Sequence, residues 1–363
     1  MSAPTLDRPR AEALLEDMVR TPSLSGEEQA VAELIVSRML ELGYDSAEVD
    51  GAGNAVGHIG SGPRRLVLLG HMDTVPGVVP IRREGDLLYG RGSVDAKGPL
   101  ATFIAASALA GAAPDWTITV VGAVEEEAPT SKGARFVAPL YRPEACIIGE
   151  PSGHDAVTLG YKGRLVCDYR YAQGTSHSAG PLPSAGQIGV AFVNAAQAAA
   201  DALNEDQKRV FDQISPNLLS IRSENDGLEE SVALTISWRV PLWFEREPWE
   251  ARLREVAKTL DEEEGSHELR FYGSEVAHKG TKNNPLVKSF LSAIRAQGLK
   301  PRFKVKTGTA DLNILGPVWG CPILAYGPGD SSLDHTPNEH ISLDEYWSGV
   351  QILRAALERL TRG

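Results

Sequence analysis

Leu14, Leu15, Met18 and Val19 recur at helical spacing, which predicts an amphipathic helix near the start of the chain. Ser25 followed by Glu28 reads as a capping box for a second helix, whose stripe of Val31, Leu34, Ile35 and Arg38 stops near Gly43. Leu66-Val-Leu-Leu-Gly70 is apolar without alternation, as in a strand covered on both faces. Pro99 opens an alanine-rich helix through Leu109, proline being favoured in a first helical turn. Residues 116–124 and 145–149 are two further apolar strands, and Pro322-Ile-Leu-Ala-Tyr326 is another. Strand, helix and strand at these intervals predict βαβ units, hence an α/β fold with a mostly parallel sheet and flanking helices.

The texture changes after residue 160. Residues 161–171 alternate, with Leu165, Cys167, Tyr169 and Tyr171 on one side, which suits a strand with one wet face. Helices over 185–203 and 248–264 and strands over 231–240 and 268–272 complete a small α+β unit. The expected organisation is a catalytic domain of residues 1–160 and 273–363 interrupted by an inserted domain of residues 161–272.

Composition narrows the partners. Lys and Arg total 36 against 48 Asp and Glu, a net charge of -12 that discourages binding to nucleic acid or an anionic membrane. The longest apolar stretch, residues 101–114, is too short to span a bilayer, and the opening Met1-Ser-Ala-Pro-Thr-Leu-Asp-Arg has no signal-peptide pattern. Cys146, Cys167 and Cys321 are too few and too scattered for a disulfide framework or a cysteine zinc site. The expectation is a soluble, cytoplasmic protein.

Candidate chemistry gathers where buried strands end. The strand through Gly70 runs into His71-Met-Asp73, whose alternate residues emerge on the same side. Residues 116–124 lead to Glu125-Glu126-Glu127, Ala145–Gly149 to Glu150, and the strand at Tyr326 toward His335; Asp95 precedes the alanine-rich helix. Open parallel sheets bind ligands beyond the carboxyl ends of their strands. Taken singly, each residue has an ordinary structural reading: a loop histidine, a solvated glutamate face, a turn aspartate. Together, carboxylates at the ends of apolar strands would repel one another and lose hydration, and divalent cations remove both penalties. Two Zn²⁺ carry four positive charges; Asp95, Glu127 and Glu150 offset three and a hydroxide the fourth, with His71 and His335 neutral. Imidazole and carboxylate donors without thiolate suit zinc or cobalt. Asp95 can bridge the ions, and Asp73 is placed to accept the second N–H of His71. With Glu127 turned to the metal, Glu126 is free to take a proton from metal-bound water and return it to a leaving amine. Glu125 is an alternative for either neighbouring role.

Gly70-His-Met-Asp-Thr-Val-Pro76, Asp95-Ala-Lys-Gly98, the glutamate triplet, Gly149-Glu-Pro-Ser152 and His335-Thr-Pro-Asn-Glu339 form one ordered series. Over nearly the whole chain it resembles the co-catalytic zinc aminoacylase and carboxypeptidase family, which includes acetylornithine deacetylases and succinyl-diaminopimelate desuccinylases. The resemblance implies one zinc on His71, Asp95 and Glu150 and another on Asp95, Glu127 and His335, with Glu126 as general base and Asp73 behind His71. Two features depart from the family pattern: Glu125 stands where Asp is usual, and Ala128-Pro-Thr-Ser-Lys132 replaces a glycine-containing turn. The resemblance further implies that the inserted domain forms a homodimer or higher oligomer. His177 would then stabilise the oxyanion in a neighbouring subunit, and Arg239, Gly308 and Thr309 would contact substrate.

Within the family, Gly122-Ala-Val-Glu-Glu-Glu-Ala128 and Lys306-Thr-Gly-Thr-Ala-Asp-Leu-Asn313 are most similar to hydrolases of the amino-group carrier system. These release lysine or ornithine from the γ-carboxyl of a carrier's terminal glutamate in lysine and arginine biosynthesis, so the implied partner is a small acidic carrier, LysW-like. Residues 276–310 hold eight Lys or Arg, among them Lys300, Arg302 and Lys304, and no Asp or Glu, which would steer an acidic partner to the mouth of the site. Other readings are deacylation of acetyl-lysine, acetylornithine or succinyl-diaminopimelate, dipeptide cleavage, and, from a different class, binuclear phosphoester hydrolysis. No dinucleotide turn, phosphate loop or serine-hydrolase elbow is present.

Overall fold

A computed structural model describes residues 6–177, 179–260 and 265–362. They form two compact units, one of Met1–Gly160, Lys279–Val305 and Ala310–Gly363, the other of Tyr161–His278 and Lys306–Thr309. Residues 273–278 and 306–309, assigned from sequence to the first domain, thus belong to the second unit.

In the first unit four central strands run parallel in the order Trp116–Ala123, Arg64–His71, Ala145–Gly149 and Ile323–Tyr326. Antiparallel strands extend the sheet on both sides, Ala55–Ile59 and Ser46–Val49 beyond the first and Ala156–Tyr161 beyond the last. These flanks were not read from the sequence: they are short, and Ser46–Val49 is largely exposed. Every residue of Trp116–Ala123 and Ala145–Gly149 is buried, as their unbroken apolar character requires. The helix Lys97–Ala110 is likewise buried nearly all round. It packs onto the sheet over a row of glycines: a Cβ at Gly149 would lie 2.9 Å from the Gly70 Cα and 3.1 Å from Phe103, and one at Gly122 3.2 Å from Leu100. The register puts Gly122, Gly70 and Gly149 level across the sheet, one residue below the rim. The missing side chains let the helix approach, and the chain just before it delivers Asp95 to that rim. Pro99 is the third helical residue rather than the first.

The second unit is a four-stranded antiparallel sheet in the order Ser215–Asn225, Glu229–Val240, Gly163–Gly174 and Ser266–Glu275. The helices Ala185–Asn204 and Arg246–Lys258 bury their apolar stripes against it. Tyr169 stacks on Phe192 with ring centroids 4.0 Å apart, and Trp238 meets Trp249 edge-on at 4.9 Å. The tail of the expected 248–264 helix, residues 261–264, lies outside the described residues.

One local expectation is corrected. Ser25 does not cap the second helix, Gln29–Glu41, whose N-cap is Glu28 without a side-chain cap. The Ser25 hydroxyl donates instead to Asp73 Oδ2 at 2.7 Å, and Glu28 accepts from the Gly26 and Glu125 amides. A capping box does occur at Ser184 and Gln187. Among the described residues no helix is long and apolar enough to cross a membrane.

Gly149→Ala is expected to lower stability by about 1–3 kcal/mol through overpacking, read as a shift in urea midpoint. An unchanged midpoint would show that the helix can retreat without cost.

Candidate metal centre

The parallel register decides which side chains meet. His71 is level with Ala123 and Gly70 with Gly149, so His71, the first residues after Ala123, and Glu150 leave neighbouring strands at one height. Tyr326 pairs with Gly149, which starts the loop to His335 from the same rim.

Asp95 is the centre of the arrangement. Its Oδ1 lies 3.1 Å from His71 Nε2 and its Oδ2 3.0 Å from His335 Nε2, one carboxylate oxygen facing each imidazole. His335 Nε2 is also 2.8 Å from Glu127 Oε1, and His71 Nε2 is 3.9 Å from Glu150 Oε1. Two clusters result, His71–Asp95–Glu150 and Asp95–Glu127–His335, each with its donor atoms within 4.8 Å of one another and with Asp95 common to both. A third combination, His71 with Glu126 and Glu127, also meets that distance. The donor set fits divalent ions of zinc type: imidazole nitrogens and carboxylate oxygens, with no thiolate among them.

Asp73 organises the acids from behind. Fully buried, it accepts from the Glu126 amide at Oδ1 (3.1 Å) and from the Glu127 amide at Oδ2 (3.0 Å), and its Oδ1 is 3.4 Å from His71 Nδ1. Glu125 turns away. Its backbone takes a left-handed conformation (φ 56°), and its carboxylate accepts from Thr130 and pairs with Lys132 at 3.4 Å. Of the three glutamates, Glu126 and Glu127 therefore face the rim, and Glu125 does not.

Electrostatics in the bare site are those of crowded, dehydrated acids. Burial pushes the Glu126 carboxyl well above its ordinary pKa, and Glu150, Asp311 and Glu127 add to the shift against His71. Burial lowers the His71 imidazole, but hydrogen bonding to Asp73 and Asp95 outweighs it and leaves its pKa well above the usual value. His335, bonded to Asp95 and Glu127, is raised to about 10. The neighbouring carboxylates thus favour the protonated form of both imidazoles. A divalent cation would displace those protons and neutralise the same carboxylates.

Several residues had no role read from the sequence. Glu339, fully buried, accepts from the amides of Val94 (3.0 Å) and Asp95 (3.2 Å) and pairs with Arg91 at 2.8 Å. Arg91 also donates to the carbonyls of Gly77 and Thr336, tying the segments beyond Asp73 and His335 to the Asp95 turn. Glu339 closes the series His335-Thr-Pro-Asn-Glu339, but nothing in its spacing announced these partners. Asp311 is buried, with its pKa pushed up to about 7 by burial. His177, Arg239, Gly308 and Thr309 lie in the second unit. His177 is exposed and its Nδ1 accepts from the Ala179 amide, while Arg239 donates to Thr309 Oγ1 at 3.0 Å.

Residues 67–359 match the model of peptidase family M20/M25/M40. The chain belongs to that family. It is 45% identical over 366 aligned residues to the [LysW]-lysine hydrolase of Deinococcus radiodurans, covering 99% of both chains. To the [LysW]-lysine/[LysW]-ornithine hydrolase of Saccharolobus solfataricus it is 30% identical, over 81% of each. Its fold is that of an M20 family metallo-carboxypeptidase from Sulfolobus solfataricus, with a TM-score of 0.79 at 16% identity, covering 99% of this chain and 100% of the other. As a member of the M20/M25/M40 family the chain is a metal-dependent amide hydrolase, and the rim around Asp95 is its candidate metal centre.

Removing the Asp73 carboxylate strands the amides of Glu126 and Glu127 and takes away the charge 3.4 Å from His71 Nδ1, although the Asp73 carbonyl still holds that nitrogen at 3.0 Å. Asp73→Ala should therefore cost about 10–100-fold in metal affinity or turnover, measured by competition with a chromophoric zinc chelator and by steady-state rates. Wild-type values in both would discharge Asp73 from this role.

Proposed function

We propose that this enzyme hydrolyses the amide between lysine, or ornithine, and the γ-carboxyl of the terminal glutamate of a small acidic carrier protein. The observation that carries this reading is the full-length 45% identity to a [LysW]-lysine hydrolase, together with both three-donor clusters being complete. Two zinc ions are the preferred cofactors, with cobalt a competent substitute. His71, Asp95 and Glu150 would hold one, and Asp95, Glu127 and His335 the other. When bound, the pair supplies Lewis acidity that polarises the amide carbonyl and makes water a nucleophile near neutral pH.

The side chains do the rest. Asp73, through the amides of Glu126 and Glu127, keeps the base and a ligand in fixed relation. The Glu126 carboxylate takes a proton from the attacking water as the new C–O bond forms, and delivers it to the amine nitrogen as the C–N bond breaks. His177 of a neighbouring subunit donates to the developing oxyanion. Arg239, held by Thr309, and Gly308 beside it would receive the substrate's charged end.

A homodimer suits one edge of the second unit's sheet. The edge strand Ser215–Asn225 exposes Leu218, Leu219 and Ile221, which a second copy would cover. Steering of an acidic carrier fits the strand Arg302–Lys306: Arg302 Nη2 and Lys304 Nζ each lie 3.7 Å from where a Cβ on Gly153 would stand, three residues past Glu150. Arg302 is paired with Asp155, and charge reversal at Lys300 and Lys304 tests the steering. Cytoplasmic residence is the natural setting for such a biosynthetic step.

The deciding assay offers zinc-loaded protein carrier-linked lysine beside acetyl-lysine, acetylornithine and succinyl-diaminopimelate, at low and high ionic strength. Carrier-linked lysine should be preferred, with a rate that falls as salt rises; preference for a free acyl amino acid would overturn the carrier reading. Glu126→Gln should keep both metals and lose about 10²–10⁴-fold in turnover, whereas Glu125→Gln should stay near wild type. The reverse order would reassign the base.

A second experiment addresses the subunits. Glu126→Ala and His177→Ala, each inactive, should regain turnover when co-refolded, because a mixed dimer holds one site with neither substitution. No recovery in verified mixed dimers would remove His177 from the neighbouring site.

A further inference from the structure

Glu345 lies in the first turn of the last helix, Leu343–Arg362, and belongs to none of the donor clusters. A single carboxylate oxygen, Oε1, accepts from the His154 amide at 3.1 Å and from the Gly329 amide at 3.0 Å, and lies 3.3 Å from His154 Nδ1. His154 follows Glu150 by four residues, and Gly329 precedes His335 by six. One oxygen thus fastens the segment carrying Glu150 to the segment leading to His335. The backbone that bears the carboxylate is anchored, since the Glu345 amide donates to Ser342 Oγ at 3.1 Å and that hydroxyl donates to Asp86 Oδ2. The two segments also run side by side: the Ser152 amide donates to the Gly327 carbonyl at 2.9 Å, and the Tyr326 hydroxyl donates to the His154 carbonyl at 3.0 Å. Gly329 packs on Val94, next to Asp95, where a Cβ would come within 2.9 Å of the valine.

Glu150 and His335 fall in different donor clusters that share only Asp95. We propose that Glu345 is a positioning residue that sets the spacing between the two clusters by clamping the segments that bear Glu150 and His335. The inference rests on the two-metal reading above and concerns assembly of the centre. Loss of the clamp leaves all donors in place but relaxes both clusters together, so both ions weaken.

The acceptor geometry separates this role from general support. Glutamine retains an Oε1 that can accept both amides, alanine retains none, and aspartate keeps the charge but is one methylene too short. Metal-stripped wild type, Glu345→Ala, Glu345→Asp, Glu345→Gln and the neighbouring Asp344→Ala are titrated with zinc against a chromophoric chelator. Thermal unfolding of each metal-free protein is measured in parallel. Wild type, Glu345→Gln and Asp344→Ala should bind two ions with affinities within about threefold of one another. Glu345→Ala and Glu345→Asp should lose about tenfold or more at both sites, with the metal-free melting temperature of Glu345→Asp matching that of Glu345→Gln. If the alanine variant does not fold, the aspartate and glutamine variants alone decide. Wild-type affinity in Glu345→Asp, an equal loss in Glu345→Gln, or a metal-free melting temperature falling in step with affinity would overturn the clamp. A wild type that binds no zinc would instead remove the two-metal reading itself.

Discussion

The centre of this molecule is a carboxylate, Asp95, held between two imidazoles that the chain supplies from opposite ends of the sequence. Beside it Glu126 stands in surroundings that penalise charge, with Glu127 and Glu150 close by. Such a cluster is costly to assemble, and the protein spends much of its local architecture on it. Asp73 receives two consecutive amides, Glu339 receives two others, and the Arg91 guanidinium binds two segments, at Gly77 and at Thr336–Glu339. These bonds fix the direction of the segments that carry the candidate ligands, the kind of outer support that raises metal affinity.

What brings the donors to one height is the parallel register, and what lets Asp95 join them is the absence of side chains at Gly122, Gly70 and Gly149. The strands present their ends, and the helix they admit presents its beginning. An antiparallel arrangement of the same strands would have sent alternate ends to opposite sides of the sheet.

Much of this was legible in the sequence. Unbroken apolar runs announced the central strands, and the acids and histidines at their ends announced the rim. The misses have a common cause. A carboxylate's partner is often a backbone amide far along the chain, and amides carry no residue label. Ser25 looked like a cap by local spacing because its real acceptor, Asp73, stands 48 positions away. Glu339 and Glu345 gave no sign of the amides they hold. The order of roles within Glu125-Glu126-Glu127 was open because three identical residues have no pattern; the left-handed turn at Glu125 and its bonds to Thr130 and Lys132 are matters of backbone direction. The flanking antiparallel strands escaped for want of a clear pattern: Ser46–Val49 is short and largely exposed, and Ala55–Ile59 and Ala156–Tyr161, though buried, break their apolar runs with Gly, His or Thr.

The placement of His335 has a consequence for how the protein is made. Ribosomal synthesis releases His71, Asp95, Glu127 and Glu150 early, then the whole second unit, and only afterwards the loop that closes on Asp95. Until those last residues leave the exit tunnel, a nascent chain offers cations an open, acid-rich and half-built cradle. Completion of the Asp95–Glu127–His335 cluster therefore waits for residues made after the second unit, and a truncation before them would also take Tyr346, Leu353 and Leu357 out of the core.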